Sequence, residues 1–456
     1  MKLRPYQQKN ADEILACLAR GVRGTLYALP TAGGKTATVV RGVIREVVNL
    51  GWPTVFLVHR RELLHQAVRT LARVGIQASV VDQDHDLDPL ALVHVCSIDT
   101  LKARKKRLAG WLLTIKLVVV DEAHHAVAAG WQALLEDFTN ALILGVTATP
   151  YRGDGKPLGV LFNEAVRGPS VAELTPRWLC PAEVWEPWSP DTSGVPISRG
   201  DFAVGELDRL MNNDKITKMA MNAYAARMPG EPAIVFCVSI AHARRAAAIS
   251  AAYGWRAIAV DGEMSDTDRD SAIDGLASGY YQHLMSCQLV NEGTDIPVVS
   301  GAINLRPTKS TQLKKQQDGR VLRTHFGKTR SCIIDMAGGA NLHGLPDADL
   351  LWTLEDGLIP IRHRTIRCPK CHRRFEPGPF CPSCSMAFPH WRQTTLPVLA
   401  GVSEHILRKL PTQELERFVA SEIDIRHIAR AKGLANSWIY HASQRLRERQ
   451  NERRRA

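Results

Sequence analysis

The chain has 456 residues and a formal charge of +12, with 58 Lys and Arg against 46 Asp and Glu. At about 100 to 200 residues per domain, this length excludes a single compact core and predicts two sizeable domains plus a smaller piece. It contains no apolar run of the roughly 18 residues that a membrane span needs, and the opening MKLRPYQQKN lacks a basic-then-apolar leader pattern, so a cytoplasmic location with no membrane partner is expected.

In the first third, short β-branched runs alternate with helical patterns: TLYALP (25–30), TVFLVH (54–59), LVHVCSI (92–98), LVVVDEA (117–123) and LILGVTATP (142–150). Apolar on both faces, these runs have the character of central strands in a parallel sheet. The rhythm restarts with AIVFCVS (233–239), RAIAVDG (256–262), HLMSCQL (283–289), GAINLRP (301–307) and SCIIDMA (331–337). The fold expected is α/β, with parallel-sheet domains in tandem at 1–168 and 233–346. Between them, 169–232 reads as a Trp- and Pro-containing linker followed by an entry helix.

The turn after the first strand, Leu29-Pro30-Thr31-Ala32-Gly33-Gly34-Lys35-Thr36, closes on Gly-Lys-Thr. Glycines let backbone N–H groups wrap phosphates at a helix N-terminus, a Lys offers a point charge to the outer phosphates, and a Thr hydroxyl can hold magnesium. The leading glycine of the general pattern is absent, and a plain Gly-rich strand-to-helix turn is the alternative. Val118-Val119-Val120-Asp121-Glu122-Ala123-His124 puts two carboxylates at the exposed end of a buried strand, where they would repel unless they shared a cation. Asp121 would hold magnesium, and Glu122 would orient and deprotonate an attacking water.

With these two elements the sequence resembles the DEAH-type superfamily 2 helicases, in the RadD/UvsW-like and type III restriction-subunit-like branch, over about residues 1–340. The resemblance implies two RecA-like domains, ATP and magnesium as cofactors, and ATP hydrolysis. Leu3-Arg4-Pro5-Tyr6-Gln7 is similar to the motif that reads adenine, so Gln7, supported by Arg4, takes that role; Thr31, Gly33, Gly34, Lys35 and Thr36 would hold the phosphates. His59, Arg60, Ser97 and Thr100 fall in motifs that grip the nucleic-acid backbone, and Thr147-Ala148-Thr149-Pro150 in the one linking hydrolysis to strand movement. His124 would couple to that motif, while His125 is left undecided. In the second domain, Asn291-Glu292-Gly293-Thr294-Asp295 resembles the segment touching both ATP and strand, through Gly293, Thr294 and Asp295. Gln316-Gln317-Asp318-Gly319-Arg320-Val321-Leu322-Arg323 resembles the arginine-finger motif, implying that Arg320 and Arg323 reach the γ-phosphate and that Gln316 lies near the attacking water. Relatives commonly read Thr-Gly-Ala-Gly-Lys or Thr-Gly-Ser-Gly-Lys where this chain has Thr31-Ala32-Gly33-Gly34-Lys35. Either Ala32 bears a strained turn or Gly33 absorbs it.

Past about Pro346 the strand rhythm stops. Cys368-Pro369-Lys370-Cys371 and Cys381-Pro382-Ser383-Cys384 form two knuckles aimed at one tetrahedral ion, predicting a structural zinc ribbon at 360–392, with an iron centre as the alternative. Arginines and phenylalanines around it suit nucleic acid, or else the ribbon docks a protein. The segment 393–456 reads as a basic helical tail with a frayed end, and 425–440 could be two helices of a helix-turn-helix or a plain amphipathic pair. From Ile361 to Ala456 there are 19 Lys and Arg against 8 Asp and Glu, which suits a polyanionic partner. The function expected is an ATP-dependent DNA helicase or translocase acting on single-stranded, forked or branched DNA in repair, recombination or (pro)phage replication, alongside repair or replication proteins. An RNA helicase and a motor subunit of a restriction or defence complex are the alternatives.

Overall fold

The computed structural model describes residues 2–59, 61–287, 296–359, 361, 365–388, 398–399 and 401–455. The first sheet has seven strands: β1 (Gly24–Ala28), β2 (Thr54–Val58), β3 (Ser79–Val81), β4 (Val93–Ser97), β5 (Leu117–Asp121), β6 (Leu142–Thr147) and β7 (Glu164–Arg167). They run parallel in the order β3-β4-β2-β5-β6-β1-β7. Alternate residues feed opposite cores. Leu26, Leu57 and Val118 meet Trp131, Leu134 and Phe138 on one face, whereas Tyr27, Phe56 and Val119 meet Ile14, Val43 and Leu64 on the other. This period of two explains why the runs are apolar throughout. Because β5, β6 and β1 are neighbours, the loops after them meet at one end of the sheet, the usual place for a ligand in open parallel sheets.

The second sheet is also parallel through most of its width, in the order 257–260, 283–286, 233–236, 301–304, 331–335. It then continues into two segments that the sequence did not assign to it. Ala182–Trp185 (β8), inside the stretch read as linker, pairs in parallel with Ser331–Asp335. Arg373–Phe375, inside the cysteine module, pairs antiparallel with β8 and forms a hairpin with Ile366–Arg367. A four-residue strand and a three-residue strand carry too little periodicity to be seen in isolation; they form because the sheet edge offers unpaired backbone groups. Arg374 locks the junction: it is buried, makes a two-point ion pair with Glu186, and donates to Thr365 Oγ1 at 2.8 Å and Asn341 Oδ1 at 3.2 Å.

The C-terminal segment is a helical unit with its own core. Helices Glu404–Lys409, Thr412–Arg417, Glu422–Lys432 and Asn436–Arg455 enclose Leu407, Leu415, Phe418, Ile425, Ile428 and Leu446, with Leu351 and Ile359 of a small hairpin packed in. The last helix continues through Arg455, where fraying was expected from sequence. The unit is tied to the first domain by Arg167, at the end of β7, which ion-pairs with Glu414, lies 3.8 Å over the Trp352 ring and donates to the Trp352 carbonyl at 3.0 Å. No helix among the described residues is long and apolar enough to cross a membrane.

Candidate functional site: a cleft between two parallel-sheet domains

The loop after β1 is held from below. Gln7, 5% exposed, donates its amide to the carbonyls of Gly33 and Gly34, each at 3.3 Å, while the Arg4 backbone N–H donates to Gln7 Oε1 at 2.9 Å. Tyr6 adds a 2.7 Å bond to the Gly33 carbonyl, and Arg4 lies 4.8 Å over the Trp178 ring. Of the two alternatives for the displaced glycine, the structure takes the strained one. Ala32 adopts φ +69 and Gly34 φ +86, whereas Gly33 does not turn left-handed. The conformation requires glycine at Gly34, and a Cβ there, 2.4 Å from Gln7 Nε2, would also displace the Gln7 amide.

Lys35 and Thr36 open the helix that follows, close to the Asp121 and Glu122 carboxylates at the end of β5. Desolvation lowers the pKa of Lys35; Glu122 and Asp121 raise it, and Arg320 and Arg323 lower it. The loop's N–H groups, Lys35 and Thr36 are donors of the type a magnesium-bound triphosphate would need.

The second domain reaches this cleft with the helix Thr311–Arg320. A Cβ on Gly319 would lie 2.5 Å from Thr31 Cβ, so the helix rests directly on the phosphate-binding loop. Arg320 is 7% exposed and Gln316 5%, and Gln316 Nε2 has no hydrogen-bond partner among the described residues. Gln312, which the sequence reading did not select, lies 2.6 Å from His124 Nε2 across the cleft. Its signal was the spacing: 312, 316 and 320 fall on one helix face. His124 also contacts Thr147 Oγ1 at 3.3 Å, and Thr147 Oγ1 in turn donates to the Thr149 carbonyl at 3.1 Å. The structure thus joins the two segments that the sequence paired through His124. His125, undecided in sequence, sits between His124 and His59, with ring centroids 4.1 and 5.0 Å away.

Ser97 ends β4, and Thr100 is buried in the following helix. Arg60, Gly293, Thr294 and Asp295 lie outside the described residues. Beside the cleft is a cavity of about 120 Å³ lined by Pro30, Thr31, Gly168, Gly319, Leu322 and Phe418; Lys35, Asp121 and Glu122 are not in its wall.

The four sulfurs of Cys368, Cys371, Cys381 and Cys384 lie within 4.8 Å of one another. The Cys368–Cys384 and Cys371–Cys381 separations are 3.6 and 3.5 Å. Disulfides require about 2.05 Å, whereas Zn–S bonds of about 2.3 Å in a tetrahedron put sulfurs about 3.8 Å apart. The spacing fits an ion. The two knuckles match in backbone form as well, since His372 and Ser385, each following the second cysteine of its pair, both have positive φ, at +64 and +54. Of the basic and aromatic residues around the ribbon, Arg367, Lys370 and Phe380 are exposed, while others face the protein. Arg374 is buried on Glu186, Arg373 lies 3.3 Å from Glu183, and Phe375 packs on Phe388 at 5.8 Å. Part of that surface therefore fastens the ribbon to the second sheet and is not presented to a strand, while Arg362 and Arg364 lie outside the described residues.

Comparison with known proteins agrees with this architecture. A family model described as "Type III restriction enzyme, res subunit" matches residues 1–152, and one described as "Helicase conserved C-terminal domain" matches residues 214–325. A Saccharomyces cerevisiae protein named as an ATP-dependent helicase, IRC3, is 28% identical over 80% of this chain and 55% of its own length, so the chain spans about half of that relative. A 51.5 kDa protein of a Lactococcus phage is 28% identical over 75% of this chain and 73% of its own. A solved structure described as the ATP-dependent Type ISP restriction-modification enzyme LlaBIII bound to DNA superposes with TM-score 0.57 at 18% identity, covering 74% of this chain and 28% of that one. A restriction-subunit family model on the first RecA-like domain and a helicase family model on the second together support a superfamily 2 helicase of the restriction-subunit-like branch.

Proposed function

We propose that the chain is an ATP-dependent DNA translocase or helicase in which hydrolysis is gated by closure of the cleft. The observation that carries this reading is that the helix Thr311–Arg320 of one domain, which ends on Arg320, rests on the loop before Lys35 in the other, with Gly319 packed on Thr31. An arginine supplied across a cleft makes transition-state stabilisation depend on domain closure, and so converts hydrolysis into relative motion. In this reading Lys35 binds the β and γ phosphates, and Thr36 and Asp121 hold magnesium. Glu122 activates water, Gln316 orients it, and Gln7 senses the adenine and the loop together. His124, Thr147 and Thr149 relay the state of the γ-phosphate to the strand-gripping side, where His59, Arg60, Ser97, Thr100 and Thr294 contact the backbone; Gly293 and Asp295 complete the nucleotide site. The cysteine ribbon holds one structural zinc ion.

DNA is favoured because the family model on the first domain describes a restriction-enzyme subunit, and because the surplus positive charge is concentrated in residues 361–456. The test is steady-state ATPase activity without nucleic acid and with single-stranded DNA, forked DNA or RNA of equal length. Stimulation by DNA that is lost in Lys35→Ala and Glu122→Gln supports the reading. Stimulation by RNA alone overturns the DNA assignment. A second reading, the motor subunit of a restriction or defence complex, draws on the same restriction-subunit family model; hydrolysis indifferent to every nucleic acid, together with co-purification of a nuclease, would favour it.

A further inference from the structure

The C-terminal unit contains a surface that the nucleotide cleft does not use. Helix Glu422–Lys432 ends at Gly433, which takes φ +64, and the Leu434 N–H closes back on the Ala429 carbonyl at 3.0 Å. Three residues, Gly433–Ala435, separate it from helix Asn436–Arg455. A left-handed glycine is what so short a turn between two helices requires. The start of the first helix is pinned by buried Asp424, which accepts from the N–H groups of Leu399, Ala420 and Ser421 at 2.8, 3.0 and 3.0 Å. The second helix is fixed against the first by Ser443 Oγ, 2.6 Å from Glu422 Oε2.

On the second helix Trp438, Ile439, Ala442 and Leu446 join the core. The opposite face carries Asn436, Ser437, Tyr440, His441 and Gln444, all exposed. These side chains are amides, hydroxyls and an imidazole, not the Lys and Glu of an ordinary solvated helix face. Amide and guanidinium groups are those that pair two-fold with purine edges. Further along, Arg445, Arg447 and Arg449 are exposed and cationic, with Arg445 also 2.9 Å from Glu416 and Arg447 3.7 Å from Glu422. A neutral hydrogen-bonding face at the N-terminal half with cationic turns beyond it matches duplex DNA, where base edges lie inside the groove and phosphates flank it.

We propose that the helix Asn436–Arg455 is a recognition helix that enters the major groove of duplex DNA and gives the enzyme a preferred sequence to land on. The inference rests on the DNA assignment made above. Arg167 and Glu414 fasten this unit to the end of β7, so a duplex held here is tethered to the first domain of the cleft.

The test is selection of binding sequences from random duplex DNA by the full chain without nucleotide, followed by affinity measurements on the enriched site and on a scrambled duplex. The expected result is one enriched site, bound about a hundredfold better than the scrambled duplex. Asn436→Ala/Tyr440→Ala/Gln444→Ala should lose at least tenfold of that preference, because each base contact is worth about tenfold or more. The same variant should keep single-strand-stimulated ATPase activity and melting temperature, since all three side chains are exposed; Gln444→Ala alone serves if the triple variant melts early. No enriched site, an enriched site retained by the variants, or preference for duplex RNA overturns the proposal. Failure of the motor reading is separate and shows as ATPase activity that no DNA stimulates.

Discussion

Gln312 of the second domain lies 2.6 Å from Nε2 of His124 in the first, and His124 Nδ1 lies 3.3 Å from Thr147 Oγ1. Thr147 Oγ1 in turn donates to the Thr149 carbonyl at 3.1 Å, and His124 Nδ1 also lies 3.5 Å from Glu122 Oε2. The two domains are thereby joined by hydrogen bonds through the residue next to the paired carboxylates.

Removing the donor at this junction should disturb coupling more than folding. Mutations in a coupling network change coupling by about 0.5–2 kcal/mol, so Gln312→Ala should lower nucleic-acid-stimulated kcat about tenfold, while the loss of one hydrogen bond, about 1 kcal/mol, should lower the melting temperature by only a few degrees. Thr147→Val should not add to it in the double variant, because both act through His124. Additive losses in steady-state ATPase assays would show that the chain of contacts is not one unit.

The role proposed for Arg320 predicts a different signature. Arg320→Ala should lower kcat about a thousandfold, as expected when an arginine finger is lost, while nucleotide affinity stays within about tenfold. Fluorescent-nucleotide titration beside turnover separates the two effects. A variant that loses affinity and turnover equally would make Arg320 a ground-state ligand only.

Ala32 sits at φ +69, a conformation that costs an L-residue about 1–2 kcal/mol. Glycine relieves that cost but frees the unfolded chain by about 0.4–1 kcal/mol. Ala32→Gly should therefore leave the melting temperature unchanged or raise it by about 2 °C, where an alanine-to-glycine change elsewhere usually destabilises. A fall of several degrees in a thermal melt would contradict this account of the loop.

Metal removal should be felt in the second sheet. One zinc per chain is expected by elemental analysis, and Cys368→Ser should abolish it. Since Arg373–Phe375 pairs with β8, loss of the ion frees an edge carrying Val184 and Trp185, and exposed edges aggregate. Hydrogen exchange at 182–185 should rise on chelation; exchange confined to 366–388 would mean that the sheet extension is independent of the metal.

Two buried histidines set an acid limit for the second domain. Desolvation pushes His283 down to about 3 and His242 to about 4. Both are neutral when folded, whereas in the unfolded chain they bind protons below about 6.5. Their contribution is therefore fully present above about pH 6.5. It falls as pH drops towards 4, by up to about 1.4 kcal/mol per pH unit for each histidine. Denaturant midpoints measured between pH 7 and 4.5 should decline, and His283→Gln should flatten the slope.

Sequence alone determined where the chemically distinctive residues of this protein sit, at the scale of a few residues. Gly-Lys-Thr after an apolar strand, Asp-Glu at the end of another and two Cys-x-x-Cys pairs each impose their own local geometry, so each could be placed without knowing what lay beside it. The alternation of apolar runs with helices likewise fixed two parallel sheets, because burial on both faces leaves its mark on every residue of a strand. Tertiary structure decided what depends on distant partners. Ala182–Trp185 is a strand because the sheet edge was waiting for it, and Arg374 holds the ribbon because Glu186 is buried opposite. Gln312 meets His124, 188 positions away, only because the two domains face each other. Arg167 and Glu414, 247 positions apart, anchor the helical unit through an ion pair that neither local segment announces. Local pattern carries the constraints a residue places on its neighbours in the chain; contacts between remote segments are selected by the packing of the whole, and only the folded molecule reveals them.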